Sequence, residues 1–97
     1  MGKFNLMSLD EAKEKSTEPG YIVVDLRSEK EYYNSHIENA MNIPMATVEK
    51  IECFNKKEYL WILYCNRGSL SFKLASEMAD KGYRVYSVVG GYKWCSI

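Results

Sequence analysis

The chain is poor in the residues that most often announce a metal or disulfide chemistry. It has a single histidine, His36, and three cysteines, Cys53, Cys65 and Cys95. The count is odd and no two are spaced as C-x-x-C, which excludes a disulfide framework and a structural zinc site. A surplus of charge is also missing. Thirteen basic residues face thirteen acidic ones, whereas a nucleic-acid-binding domain carries a basic excess. No apolar run approaches the roughly 20 residues of a membrane helix. The first residues, Met1 to Leu6, lead into a polar helical pattern and do not read as a signal peptide. Leu6 stands where N-myristoylation needs Ser or Thr. Repeats, linkers and low-complexity segments are absent. What remains is one soluble globular domain over residues 1–97, with free thiols that fit a reducing cytoplasm, and with neither nucleic acid nor membrane as partner.

The stretch around which the chain is organised is Tyr64-Cys65-Asn66-Arg67-Gly68-Ser69-Leu70-Ser71. The apolar run 59–64 precedes it and predicts a strand. Apolar residues at 72, 74, 75, 78 and 79 have helical spacing, which predicts a helix over 69–81 ended by Gly82. Cys65 thus falls at the carboxyl end of a strand, where open α/β sheets bind ligands. The following helix presents free N–H groups and a partial positive charge, and both favour an anion such as a thiolate. Gly68 permits a backbone conformation closed to other residues, and small Ser69 and Ser71 leave room for N–H groups to point inward. Equally, a lone cysteine at a strand end can be a small buried apolar residue.

Earlier in the chain, 4–7 predicts a short edge strand, and Ser8 with Glu11 predicts a capping box for a helix over 9–16. After a turn at 17–20, Tyr21-Ile22-Val23-Val24-Asp25 lacks polar alternation and predicts a strand buried on both faces of a parallel sheet. Asp25 ends it as a turn former that accepts backbone hydrogen bonds. Ser28 and Glu31 predict a capped helix over 29–34, with Arg27 and Glu31 spaced for a solvated surface pair. His36 reads as a hydrogen-bonded structural residue. A short strand at 41–43 ends at Pro44, a weak helix covers 45–53 with Cys53 as core filling, and a polar loop spans 55–58. Residues 84–89 predict a last strand, Gly90-Gly91 break it, and 92–95 begin a helical turn. Strands alternating with helices predict an α/β fold: a mostly parallel twisted sheet of about five short strands, flanked by helices on both faces.

These motifs together resemble the rhodanese-like sulfurtransferase family in its single-domain form, over about residues 5–95. The resemblance rests on Asp25-Leu26-Arg27, Glu31-Tyr32, His36-Ile37, Ala40 and Asn42-Ile43-Pro44, on Tyr64-Cys65 with Gly68 and Ser71, and on Gly82-Tyr83, Val85, Gly90-Gly91 and Trp94. It departs from the family where Ser35 and Asn39 replace glycines and where Leu70 replaces an arginine five residues after the cysteine; Asn39 tolerates the left-handed conformation. Many members also extend beyond the position of Trp94. The resemblance implies Cys65 as catalytic nucleophile and Asn66, Arg67, Gly68, Ser69, Leu70 and Ser71 as the substrate-binding loop. Cys65 would take a sulfane sulfur from a small anionic or persulfide donor such as thiosulfate, then pass it to a thiophilic acceptor, which includes a protein thiol. No metal or other cofactor is required, and a monomer is expected. Phosphatases and arsenate reductases of similar fold need an arginine six residues after the cysteine, where this chain has Ser71. A binding module without catalysis is the other alternative, since fold alone does not fix function.

Overall fold

Five short apolar segments pair into one parallel sheet in the computed structural model, which describes residues 3–92. In chain order the elements are β1 (Asn5–Met7), α1 (Leu9–Lys15), β2 (Tyr21–Asp25), α2 (Glu29–Asn34), β3 (Met41–Asn42), α3 (Val48–Glu52), β4 (Leu60–Tyr64), α4 (Ser69–Asp80) and β5 (Arg84–Val88). The sheet order is β1-β5-β4-β2-β3, so β1 is an edge strand, as expected for residues 4–7. β4 lies at the centre, and its residues are buried on both faces. Trp61 and Leu63 join one core with Val24, Ile51, Leu74 and Met78, which places α3 and α4 on that face. Ile62 and Tyr64 join the other with Leu9, Ala12, Val23 and Ile37, against α1. The expectation of helices on both faces of a parallel sheet holds, and the continuous apolar runs of β2 and β4 are its cause.

The connections out of β2 and β4 are what make a site. β2 continues through α2 to β3 on one side, and β4 continues through α4 to β5 on the other. Neighbouring parallel strands whose chains leave in opposite directions open a crevice beyond their carboxyl ends. Asp25 and Tyr64, the last residues of β2 and β4, are register partners at that crevice. Leu26 N–H donates to the Tyr64 carbonyl at 2.9 Å and carries the ladder one residue further.

Local signals explain most element ends. Ser28 and Glu31 form a complete capping box on α2, whereas Ser8 caps α1 by accepting from Glu11 N–H. Asn39 has φ 69°, the left-handed conformation that a glycine would otherwise supply, and Ser35 is extended. Three expectations are corrected. The helix predicted over 45–53 is confined to Val48–Glu52, because Met45 has φ 54° and Thr47, the N-cap, accepts from Lys50 N–H. Cys53 is solvent-exposed rather than core filling, since α3 turns only Val48 and Ile51 inward. Arg27 is buried and pairs with Asp25, not with Glu31 across the surface. The helical turn expected at 92–95 lies beyond the described residues after Tyr92.

The carboxyl ends of β2 and β4 are joined by a buried polar cluster. Asp25 is fully buried and accepts from Arg27 N–H at 2.8 Å, from Arg27 Nη2 at 2.8 Å and from Tyr64 Oη at 2.7 Å. Tyr64 Oη in turn accepts from Ile37 N–H at 3.2 Å. Asp25→Ala strands a buried guanidinium and a phenol, and is expected to cost about 3–5 kcal/mol of stability. Tyr64→Phe leaves the ion pair in place and is expected to cost about 1–3 kcal/mol. Urea unfolding of both variants measures the order, and equal losses would contradict it.

Candidate active site

Cys65 follows β4 directly and lies on the floor of a pocket of about 420 Å3, where it is 3% exposed. Two segments line that pocket: Leu26, Arg27, Ser28 and Glu31 after β2, and Cys65, Asn66, Arg67, Ser69 and Leu70 after β4. The loop closes tightly on the sulfur. Gly68 has φ 92°, a conformation for which a side chain would be strained, and its N–H donates to Cys65 Sγ at 3.1 Å. Gly68 is also the N-cap of α4, so the N-terminus of a twelve-residue helix faces the thiol.

Ser71 sits beneath this arrangement rather than in the pocket. It is fully buried, donates to the Gly68 carbonyl at 3.1 Å, and shares a 2.8 Å hydrogen bond with Ser87 Oγ. Cys65 Sγ lies 3.7 Å from its hydroxyl oxygen. Of the six loop residues expected around the substrate, Asn66, Arg67, Ser69 and Leu70 line the pocket, Gly68 holds the sulfur, and Ser71 supports it from below.

The far side of the loop is pinned by the chain after β5. Tyr92 N–H donates to the Cys65 carbonyl at 2.8 Å. A Cβ on Gly91 would come within 2.4 Å of the Asn66 carbonyl oxygen, and Gly91 has φ 75°, so only glycine fits there. The Tyr92 ring covers the Arg27 guanidinium at 4.3 Å, and its hydroxyl bonds to Ser35 Oγ. On the near side, Glu31 Oε2 accepts from Asn66 Nδ2 at 2.7 Å, while its Oε1 accepts from Ser28 N–H and Oγ. The capping box of α2 therefore also holds the first residue of the cysteine loop.

These contacts set the charge of the site. Burial opposes the charge on Arg27, but the hydrogen bonds and charge of Asp25 outweigh it and hold the guanidinium's pKa above its ordinary value. Burial, and then donation to Asp25, holds the Tyr64 phenol well above its ordinary range, so it remains a donor. The Asn66 hydrogen bond draws the Glu31 carboxyl below its ordinary value. Arg27 is thus neutralised by Asp25, while Arg67 and Glu31 put one charge of each sign in the lining. Among the described residues no cluster of His, Cys, Asp and Glu could hold a metal ion. His36 stacks on Tyr32 at 3.8 Å, with Nδ1 2.7 Å from the Tyr32 carbonyl, and is not among the residues that line the pocket.

A nucleophile-bearing loop between a parallel strand and a helix N-terminus is common to several enzyme families. The sequence match decides among them: the model of the rhodanese-like domain covers residues 8–96. The chain belongs to the rhodanese-like domain family.

Its relatives include proteins named as sulfurtransferases. Thiosulfate sulfurtransferase GlpE of Coxiella burnetii is 30% identical over 73 residues, which are 74% of this chain and 68% of that protein. A tRNA sulfurtransferase of Desulfurococcus amylolyticus is 27% identical over 101 residues, 93% of this chain but 20% of that one. A rhodanese-like domain protein from Staphylococcus aureus superimposes with a TM-score of 0.71 at 27% identity, over 91% of this chain and 87% of that one. The rhodanese-like domain described here is accordingly a member of a sulfurtransferase family.

Sequence reasoning placed the cysteine loop and missed the other wall of the pocket. Leu26, Arg27, Ser28 and Glu31 enter it because β2 and β4 are neighbours, a pairing that no local pattern states. The available signal was the position of Asp25-Leu26-Arg27 at a strand's carboxyl end. Glu31 offers a test of the wall. Its native pKa lies below its unfolded value, so its contribution is complete above the ordinary value of 4.5 and is lost as pH falls through the native one. The stability gap between the natural protein and Glu31→Gln is expected to be constant near neutrality and to shrink in acid. A gap that persists unchanged into strong acid would show that Asn66 does not depend on the carboxylate.

Proposed function

We propose that this rhodanese-like domain moves a sulfane sulfur from a donor such as thiosulfate to a thiophilic acceptor through a persulfide on Cys65. The observation that carries the reading is the Gly68 N–H donated to Cys65 Sγ at 3.1 Å, on the floor of an open pocket at a helix N-terminus. Such a dipole favours negative charge on the terminal sulfur of a persulfide. In the first half-reaction the Cys65 thiolate attacks the outer sulfur of thiosulfate. A sulfur–sulfur bond forms at Sγ, the bond to the sulfonate sulfur breaks, and its electron pair leaves with sulfite. In the second, an acceptor such as cyanide or a thiolate attacks the terminal sulfur and the Cys65 thiolate leaves. This is covalent catalysis with ping-pong kinetics.

The remaining residues position and attract. Arg67 is exposed at the pocket mouth and is the only formal charge between Tyr59 and Ser71. Arg27, clamped by Asp25 and the Ser35 carbonyl and covered by Tyr92, is a fixed wall of the pocket. A phosphatase reading finds no support. The place of its oxyanion-clamping arginine is held by Ser71, which is buried and hydrogen-bonded to Ser87.

Cys65→Ser is expected to abolish thiosulfate:cyanide sulfurtransfer while far-ultraviolet circular dichroism stays native. A folded Cys65→Ser protein that keeps most of its activity would overturn the mechanism. Arg67→Ala is expected to raise KM for thiosulfate severalfold with a smaller effect on kcat, because charge attraction acts mainly on binding. An unchanged KM at low and moderate salt would show that Arg67 points away from the bound donor.

A further inference from the structure

Next to the Cys65 pocket lies a second cavity of about 300 Å3 whose lining is mainly apolar: Leu26, Met45, Ala46, Val48, Leu70 and Leu74. It adjoins the catalytic pocket, and Leu26 and Leu70 line both. Leu26 and Leu74 are buried and form its floor, while Leu70 is 60% exposed and Met45 84%. Leu70 thus stands out at the boundary of the two cavities instead of packing into the core. Met45 is held at φ 54°, a left-handed conformation that methionine rarely adopts. Backbone strain of this kind gathers at ligand clamps, and a flexible thioether is well suited to an apolar ligand.

Charge narrows the choice of ligand. Of the two arginines that line the catalytic pocket, Arg27 is neutralised by the buried Asp25 behind it, and Glu31 adds a carboxylate to the same lining as Arg67. At the edge of the second cavity Lys73 stands with Glu49 and Glu77. Neither cavity has the cationic surplus that an inorganic dianion would seek, and the apolar one would leave such an ion poorly solvated.

We propose that the second cavity is a subsite for the body of an organic sulfane-sulfur donor, a thiosulfonate or organic persulfide with an apolar group and at most one negative charge. This rests on Cys65 being the sulfur-accepting nucleophile. The donor's terminal sulfur lies at Cys65 and its apolar group between Leu70 and Met45. For a thiosulfonate, the Cys65 thiolate forms the new sulfur–sulfur bond. The bond from the outer sulfur to the sulfonyl sulfur breaks, and its electron pair leaves on an organic sulfinate. For an organic persulfide, the leaving group is the thiolate.

The test compares benzenethiosulfonate with thiosulfate on the full chain, with cyanide as acceptor. The ratio of their kcat/KM values is measured for the natural protein, Met45→Ser and Leu70→Arg, so that the intrinsic reactivities of the two donors cancel between proteins. Both positions are exposed, and circular dichroism checks the fold. Met45→Ser is expected to lower the ratio roughly tenfold, the scale of losing a buried apolar contact. Leu70→Arg is expected to lower it further by favouring thiosulfate, a gain that added salt erodes through screening. A ratio unchanged in both variants, or a parallel loss with both donors, overturns the subsite while sulfur transfer through Cys65 stands. Failure of both donors to load Cys65 in the natural protein overturns the subsite and the transfer reaction together.

Discussion

The carboxylate of Asp25 is the interaction on which the site depends. It is buried where β2 and β4 end side by side, and it holds three donors at once: Arg27 N–H, the Arg27 guanidinium and the Tyr64 hydroxyl. A buried carboxylate is tolerable only when it is hydrogen-bonded and paired. Here both conditions are met by residues that also form the pocket. Arg27 lines it, and Tyr64 immediately precedes Cys65. The cluster reaches outward through Tyr92, whose ring covers Arg27 and whose N–H holds the Cys65 carbonyl. It reaches sideways through Asn42, whose side chain donates to the carbonyls of Asp25 and Arg27. The place of Cys65 is thus set by packed strands and buried charge more than by its own loop.

The same economy makes the pocket electrically quiet. An arginine clamped by a buried aspartate offers a small anion little net attraction, and Glu31 stands opposite in sign to Arg67 in the lining. Rather than many cations, the site relies on backbone: the Gly68 N–H at the sulfur and the first turn of α4. A persulfide needs this kind of environment, because its charge sits on one terminal atom and not on three oxygens that call for a bidentate guanidinium. Ser71 makes the difference concrete. Where a phosphate loop would place its arginine, this chain packs a hydroxyl between Gly68, Ser87 and the thiol.

Much of the fold is legible in the sequence because its signals are local. The apolar runs of β2 and β4, the helical spacing before Met78, the Ser28–Glu31 capping box and the left-handed tolerance of Asn39 each act within a few residues. The cysteine loop is legible for the same reason, from its place between strand and helix. What escaped depends on partners distant in the chain. Arg27 reads as a surface residue until β2 is laid beside β4, and Asn66 meets Glu31 across thirty-five positions. Gly91 gains its meaning only from the Asn66 carbonyl against which it packs. Cys53 and the start of α3 were misjudged because a five-residue helix turns few side chains inward, and a left-handed Met45 has no sequence signature.

In the proposed reaction Cys65 itself carries the transferred sulfur. Intact-mass measurement of the full chain after incubation with thiosulfate, and again after cyanide, tests it most directly. The expected result is the gain of one sulfur atom, mapped by peptide fragmentation to Cys65 and not to the exposed Cys53, and its complete removal by cyanide. A protein whose mass does not change, or whose added sulfur resides on Cys53, would contradict it.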